Sequence, residues 1–422
     1  MGFRVQAKQI TKSQNFRHGV LYTIFSFINN GINFILLLIL AHYLCPHDYG
    51  LLNLFTTFIT LLNILISLST TGYVSVSFFQ KSKETLRKII FIALSTTTGM
   101  LLMLSCILLL FPEFLERSIG VEIKYLWIGV LICYFQVFNS LNLDIWRLEE
   151  KPVSYGIYGV SFAVCNFILS FWLIVGMQKG WEGRVYAWFL LAIIYFIVSV
   201  VFLLKRRYLV FSKPSGLLFK ETYLYALPLL PHATSYWLKQ GVDRYIINYF
   251  YDQSTVGYYS FAMNFAAIIM MIGTAFNATN SVYIFKKLAN GYAPVKNVLA
   301  KQTKLMTILF GLIGILVAIS AIGLICWFIP RYSESMGYIL PLCIGAFFQC
   351  LYLLWVNYLF FYKKTRQLMY ITFSTAILQI LLSLWLTRYS SLYTAYISMV
   401  IMALTMLFVY LRSRYELKIA LT

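Results

Sequence analysis

Val185-Tyr-Ala-Trp-Phe-Leu-Leu-Ala-Ile-Ile-Tyr-Phe-Ile-Val-Ser-Val-Val-Phe-Leu-Leu204 runs for twenty residues without a charge, and Lys205-Arg-Arg207 follows at once. About 20 apolar residues rise roughly 30 Å as a helix, the thickness of a bilayer's hydrocarbon core, so the stretch reads as a membrane-crossing helix that ends at a charged surface. The pattern recurs in both directions. Twelve spans are expected: 20–44, 51–79, 89–111, 126–144, 153–176, 185–204, 223–250, 256–285, 305–329, 339–362, 368–386 and 392–411. The fold class that follows is all-α, a polytopic membrane protein with no separate soluble domain.

Hydrophobic residues make up 60% of the 422-residue chain and charged ones 11%, more apolar surface than a water-soluble domain of this size can bury. The net charge of +20 is unevenly spread. Lys and Arg crowd into alternate gaps, beginning with Arg4, Lys8, Lys12 and Arg17, while the intervening gaps are short and nearly neutral. That is the positive-inside pattern, and it places both termini in the cytoplasm. Anionic lipid accounts for the positive charge, so no nucleic-acid partner is expected. The segment 1–19 leads into a full-length span rather than a short apolar core with a cleavage site, so no removable signal peptide is expected. The seven cysteines lie mostly inside spans, form no CxxC pair and read as small apolar fillers. His42, Cys45 and His47 gather at one turn but lack a fourth ligand or zinc-type spacing, so no metal site is read there.

The basic gap 205–222 separates six spans from six, giving lobes 1–204 and 223–422 with 205–222 as a cytoplasmic linker. An even number of spans per lobe makes any internal repeat parallel, about an axis along the membrane normal. Ala41-His-Tyr-Leu-Cys-Pro-His-Asp-Tyr-Gly50 and Asn248-Tyr-Phe-Tyr-Asp-Gln-Ser-Thr-Val-Gly257 support such a repeat. In each, a helix ends, a turn with an acid and a glycine follows, and an apolar helix resumes; glycine suits a tight reversal.

Polar residues fall on faces. Tyr22, Ser26, Asn29 and Asn33 share an arc of span one, and Asn53, Thr57, Thr60, Ser67 and Thr71 share one of span two. Such stripes either glue helices together or line a polar cavity. Gln136, Ser140 and Arg147 share an arc of span four, flanked by Asn139 and Asp144. Charges weigh more, because an ionised group at bilayer depth costs several kcal/mol unless water, a partner or a substrate receives it. Span seven holds His232, Tyr236, Lys239 and Asp243 on one face, with Arg244 about 100° away. Lys239 and Asp243 are four apart and positioned to pair. Pro228 and Pro231 favour a bend early in the same span. Arg147, and more weakly Arg17, are candidate phosphate contacts at the inner mouth. Glu149, Glu150 and Lys151 read as local ion pairs.

No Walker loop, HExxH or GxSxG is present, nor a carboxylate pair flanked by a substrate cleft, so the chain is not expected to be an enzyme and no cofactor is expected. Transport driven by an ion gradient or by the substrate's own gradient remains. The coupling ion, H+ or Na+, is left open.

Leu38-Ile-Leu-Ala-His-Tyr-Leu-Cys-Pro-His-Asp-Tyr-Gly50, continuing through Leu62 to Thr71-Gly72, resembles the opening spans of bacterial polysaccharide repeat-unit flippases, the O-antigen and capsule type. So do Leu227-Pro-Leu-Leu-Pro-His232, Trp237, Asp243-Arg-Tyr-Ile-Ile247 and Val256-Gly-Tyr-Tyr259. These proteins belong to the multidrug/oligosaccharidyl-lipid/polysaccharide exporter superfamily. The resemblance implies two six-helix lobes around a central cavity, alternating access, and a bacterial inner-membrane location. It implies as substrate an undecaprenyl-pyrophosphate-linked oligosaccharide, with membrane lipids and a glycan polymerase or assembly machinery as partners. Asp243 and Arg244 match the family's acid-Arg pair; Arg17, Arg147, Tyr236 and Lys239 join them as substrate-binding candidates. Tyr22, Ser26, Asn29, Asn33, Thr57, Thr60, Gln136 and Asp144 are the candidate cavity-lining polar residues. Tyr236, Trp237, Tyr258 and Tyr259 are candidates for stacking on sugars. A drug/cation antiporter of the same superfamily, a membrane-embedded glycan polymerase or acyltransferase, and an assembly scaffold are the rival readings.

Overall fold

The computed structural model describes residues 14–210, 215–289 and 291–419, and within these no strand forms. Turn residues cut the chain into helices. α1 (Gln14–Tyr43), α2 (Pro46–Ser67), α3 (Thr70–Gln80), α4 (Lys83–Leu110), the short α5 (Pro112–Ile119), α6 (Ile123–Leu148), α7 (Pro152–Phe171) and α8 (Gly180–Lys205) come first. Then follow α9 (Gly216–Ala226), α10 (Leu230–Gln240), α11 (Val242–Phe250), α12 (Gln253–Leu288), α13 (Lys296–Phe328), α14 (Met336–Phe361), α15 (Thr365–Leu386) and α16 (Leu392–Ile419). Pro46, Pro112 and Pro152 each open a helix, where the missing N–H costs nothing. Ser82, Ser215 and Asp252 cap theirs by accepting from Thr85, Leu218 and Thr255 N–H groups.

Among the described residues, eleven helices are long and apolar enough to cross a membrane. The expected twelfth, span seven, is in pieces. Pro228 sits in the 3-10 turn Leu227–Leu229 and Gly241 separates α10 from α11, so no fragment reaches spanning length alone. Span two is also interrupted, at Leu68 and Ser69, both left-handed at φ 43° and 58°. The stripe read along that span therefore does not continue straight to Thr71.

Two compact units emerge from the packing. The first comprises Met1–Leu44 and Leu54–Ala233, the second Cys45–Asn53 and Thr234–Thr422. Inside the first, α1 packs on α7, and α6 on α8 and α4. Inside the second, α14 lies against α12, α13 and α16. The boundary by contact falls after Ala233, so α9 groups with α3 and α4 rather than with the rest of span seven.

The two repeat glycines lie within the second unit, inside helices and not in the left-handed region. Their role is close approach, not chain reversal. A Cβ on Gly50 would stand 1.8 Å from the Gln253 carbonyl oxygen, and one on Gly257 would stand 2.0 Å from that of Pro46. The first turns of α2 and α12 thus touch backbone to backbone, each glycine over the other helix's start.

A second likeness joins the halves. Glu150 and Lys363 are left-handed at φ 56° and 57°, and each is donor in the same turn. Glu150 N–H donates to Arg147 and Lys151 N–H to Trp146; Lys363 N–H donates to Phe360 and Lys364 N–H to Leu359. In the first unit this turn is braced by Glu149, which accepts from Arg206 at 2.9 Å and Tyr208 at 2.8 Å and pairs with Lys151. In the second, Lys364 and Arg412 pair with Glu416.

Candidate functional site

Span seven is where the sequence places its charges, and its broken backbone decides where they point. Gly241 N–H still donates four residues back to Trp237, but after it the ladder tightens, with Arg244 N–H donating three residues back to Gly241. Side chains take over carbonyls freed by the break. Gln379 Nε2 donates to the Lys239 carbonyl at 2.9 Å, and Arg244 donates to the Gln240 carbonyl at 2.6 Å while its Nε reaches Ser260 Oγ at 3.1 Å. Buried backbone oxygens left unmet cost as much as a lost hydrogen bond, so these contacts hold the kink in place.

Lys239 and Asp243 do not form the expected pair, and no ion pair joins them. The four-residue spacing brings side chains together only on a continuous helix, and Gly241 interrupts it. Lys239, 8% exposed, donates to Thr375 Oγ1 at 2.8 Å and Thr405 Oγ1 at 3.3 Å on α15 and α16. Asp243, 2% exposed, accepts from Tyr259 OH at 3.1 Å, Gln379 Nε2 at 3.0 Å and Ser383 Oγ at 3.4 Å. Gln379 Oε1 is buried without a partner. An ammonium and a carboxylate are thus each satisfied by neutral groups, with Gln379 joining the Lys239 carbonyl to the Asp243 carboxylate, and in this conformation neither faces open water. Arg244, half-buried, is the one of the three that keeps partial access.

The proposed sugar platform is divided. Tyr259 is 1% exposed and gives its hydroxyl to Asp243, so it is committed to the interior. Tyr258 and Trp237 are half-buried against Tyr332 and Tyr245, with ring centroids 6.1 and 6.0 Å apart. The side chains of Tyr236 and Arg17 lie outside the described residues.

In the first unit, Arg147 pairs with Asp144 at 2.8 Å and stays exposed. Asn63 donates to Gln136 at 3.2 Å, which ties α2 to α6 and makes Gln136 helix glue here. Tyr22 stands edge-on to Tyr155, centroids 5.2 Å apart, with its hydroxyl buried and unpartnered. Asn33 donates to the Asn29 carbonyl and Thr60 to that of Thr56. Ser26 is exposed and Thr57 buried. A network that the sequence stripes missed joins Asn139, Tyr158 and Ser199 within 2.6–2.9 Å. Asn139 was visible as a flanking polar residue, but its partners lie on other helices at no fixed spacing. Among the described residues, no cluster of three His, Cys, Asp or Glu is placed to hold a metal.

The described residues form a helical scaffold with eleven helices fit to cross a membrane and polar groups inside them, which defines the class as a multi-pass membrane protein. Its fold is that of the multidrug/oligosaccharidyl-lipid/polysaccharide exporters. It is similar to an inward-facing multidrug resistance MATE transporter, at a TM-score of 0.75 and 14% identity over 93% of this chain and 95% of that one. It is also similar to the lipid II flippase MurJ in an inward closed conformation, at a TM-score of 0.71 and 14% identity over 95% and 92%. Residues 16–287 match the family model described as polysaccharide biosynthesis protein, and the chain belongs to that family. Two Haemophilus influenzae proteins are similar over most of their length. "Lsg locus putative protein 1" is 23% identical over 83% of this chain and 86% of its own, and an "uncharacterized membrane protein" is 25% identical over 80% and 81%.

Proposed function

We propose that the protein flips an undecaprenyl-pyrophosphate-linked oligosaccharide repeat unit from the cytoplasmic to the periplasmic leaflet of a bacterial inner membrane by alternating access. Both termini are then cytoplasmic, with lobes 1–204 and 223–422 joined by 205–222. The observation that carries the reading is membership of the polysaccharide biosynthesis family on an exporter fold. The charged groups inside span seven add to it, since cations kept at bilayer depth suit an anionic, sugar-bearing headgroup.

In this reading Arg244 and Arg147, with Arg17 and Tyr236, meet the pyrophosphate and first sugars. Lys239 and Asp243 act from within, fixing the kink through Thr375, Thr405 and Gln379, and reach substrate only when that network opens. The candidate lining residues Tyr22, Ser26, Asn29, Asn33, Thr57 and Thr60 hydrate the path. The test is transbilayer movement of a fluorescent polyprenyl-diphosphate-linked glycan in proteoliposomes. Movement above protein-free vesicles is the expected result, and none with correctly inserted protein refutes the proposal. The likeness to MATE transporters favours one rival, drug/cation antiport. Raised drug resistance on overexpression, without glycan movement, would select it.

A further inference from the structure

Between α4, α9 and the break in span two lies a recess of about 290 Å³, lined by Leu68, Ile92, Ser95, Thr96, Met100 and Tyr223 with Phe219 and Gly99. Three features make it. Ile92, Ser95, Thr96, Gly99 and Met100 form one stripe of α4, and Gly99 leaves it open, because a Cβ there would meet nothing within 4 Å. Phe219 and Tyr223, one turn apart on α9, stand as a wall with centroids 4.5 Å apart. The consecutive left-handed residues Leu68 and Ser69 end α2 at its edge, a conformation L-residues adopt only under constraint from their surroundings. The polar content is small: Ser95 and a Thr96–Tyr223 hydroxyl pair at 2.8 Å. That excludes a sugar or an ion as occupant and suits a hydrocarbon chain.

Depth and charge narrow the choice. The α4 lining lies 4 to 12 residues beyond Lys88, roughly 6–18 Å at 1.5 Å per residue, largely within the leaflet on the basic side. The end of α4 and α9 on that side carries Lys81, Lys88 and Lys220 against Glu84 and Glu221, with Lys88 paired to Glu84 at 2.9 Å, while Lys83 and Arg87 turn to Tyr208 and the Arg207 carbonyl. Glu221 there joins Tyr73 at 2.9 Å and Lys81 at 3.3 Å. An apolar slot beneath an excess of cations is complementary to a single-chain lipid with an anionic head. At roughly 30 Å³ per water-sized or methylene-sized group the volume holds about ten carbons, two isoprene units.

We propose that this recess seats the first isoprene units of the polyprenyl carrier as it loads from the cytoplasmic leaflet, with its diphosphate at the Lys81–Lys88 rim before it passes to the arginines assigned to it above. The assignment rests on the flippase reading above and adds a tail site to it. The regularly spaced alkenes of an isoprenoid lie flat against the Phe219–Tyr223 wall, a contact that a saturated acyl chain lacks.

The experiment uses the full chain in nanodiscs of phosphatidylethanolamine and phosphatidylglycerol, with farnesyl diphosphate bearing a terminal diazirine as photoprobe. Adducts are expected on α4 between Ile92 and Met100 and on α9. Unlabelled geranylgeranyl diphosphate should compete and additional phosphatidylglycerol should not. Gly99→Leu puts a side chain into the slot from a point where its Cβ meets nothing within 4 Å, and it should cut labelling about tenfold, the worth of two buried methylenes. Equal competition by phosphatidylglycerol, adducts scattered over the apolar surface, or full labelling of Gly99→Leu overturns the assignment. If adducts miss α4 and α9 while the reconstituted chain still moves polyprenyl-linked glycan, the tail site falls and the proposed function stands. If the chain neither moves glycan nor takes any label, the function falls and the tail site with it.

Discussion

Replacing Gly50 with alanine tests the backbone contact between α2 and α12. The new Cβ would begin 1.8 Å from the Gln253 carbonyl oxygen, 2.7 Å from its carbon and 3.1 Å from Gly257 N. All three are main-chain atoms, so no rotamer change relieves the clash. Restoring the 3.4 Å of ordinary contact demands a separation larger by 3.4 − 1.8 = 1.6 Å. Overpacking of this kind costs about 1–3 kcal/mol. The better helix propensity of alanine returns at most about 1 kcal/mol. A net loss of about 1–2 kcal/mol is expected. Gly257→Ala should cost a similar amount, from its 2.0 Å approach to the Pro46 oxygen. The double variant should cost less than the sum, because helices already parted by one methyl accept the second, and contacting sites couple by about 0.5–3 kcal/mol. Thermal unfolding of the purified protein in detergent reads all three. An unchanged or raised midpoint for Gly50→Ala, or strict additivity in the double variant, would refute the contact as described.

Arg244→Lys should fail to support glycan export, because an ammonium does not span both Ser260 Oγ and the Gln240 carbonyl, and leaving that buried oxygen unmet costs about 1–3 kcal/mol; wild-type surface glycan in this variant would contradict it. Lys239→Ala and Arg244→Ala should abolish surface glycan with the protein still inserted, as read by glycan blot beside membrane fractionation, and full export by both would remove these side chains from the mechanism. At the cytoplasmic turn, burial raises the Glu149 carboxyl, but hydrogen bonds from Lys151 and Tyr208 and the charge of Arg206 outweigh it and hold it below the usual Glu range. A depressed carboxyl stabilises above its unfolded value and loses that contribution only as pH falls through the lower, folded one. Wild type should therefore lose thermal stability relative to Glu149→Gln only on acidification past the ordinary Glu range, and a loss centred within that range would count against the brace.

Hydropathy made the spans legible because apolar length is a direct demand of the bilayer. Pro228 and Pro231 marked the bend in span seven in advance, since a missing N–H acts locally. The second interruption, at Gly241, was less visible, and it undid the Lys239–Asp243 pairing that spacing implied. The break at Leu68–Ser69 has no proline or glycine at its centre, so nothing in the local sequence announced it. Gly50 and Gly257 stood out, but the reason for glycine was another helix rather than a turn, and a partner two hundred positions away leaves no local trace. The same holds for Glu149, whose partners Arg206 and Tyr208 lie on a different segment.

The mirrored braces have a consequence for how the halves can be recombined. Lys151 and Lys364 hold the same place in the two turns and each pairs with a glutamate, but that acid is Glu149 in the first turn itself, where it also meets Arg206, and Glu416 on α16 for the second. A chimera that grafts Tyr362-Lys363-Lys364 in place of Glu149-Glu150-Lys151 would keep the backbone path but remove the carboxylate that Arg206 and Tyr208 meet. The two turns are thus alike in shape but take their acid from different places, Glu149 within the first and Glu416 on a distant helix for the second, so that neither connector substitutes for its counterpart.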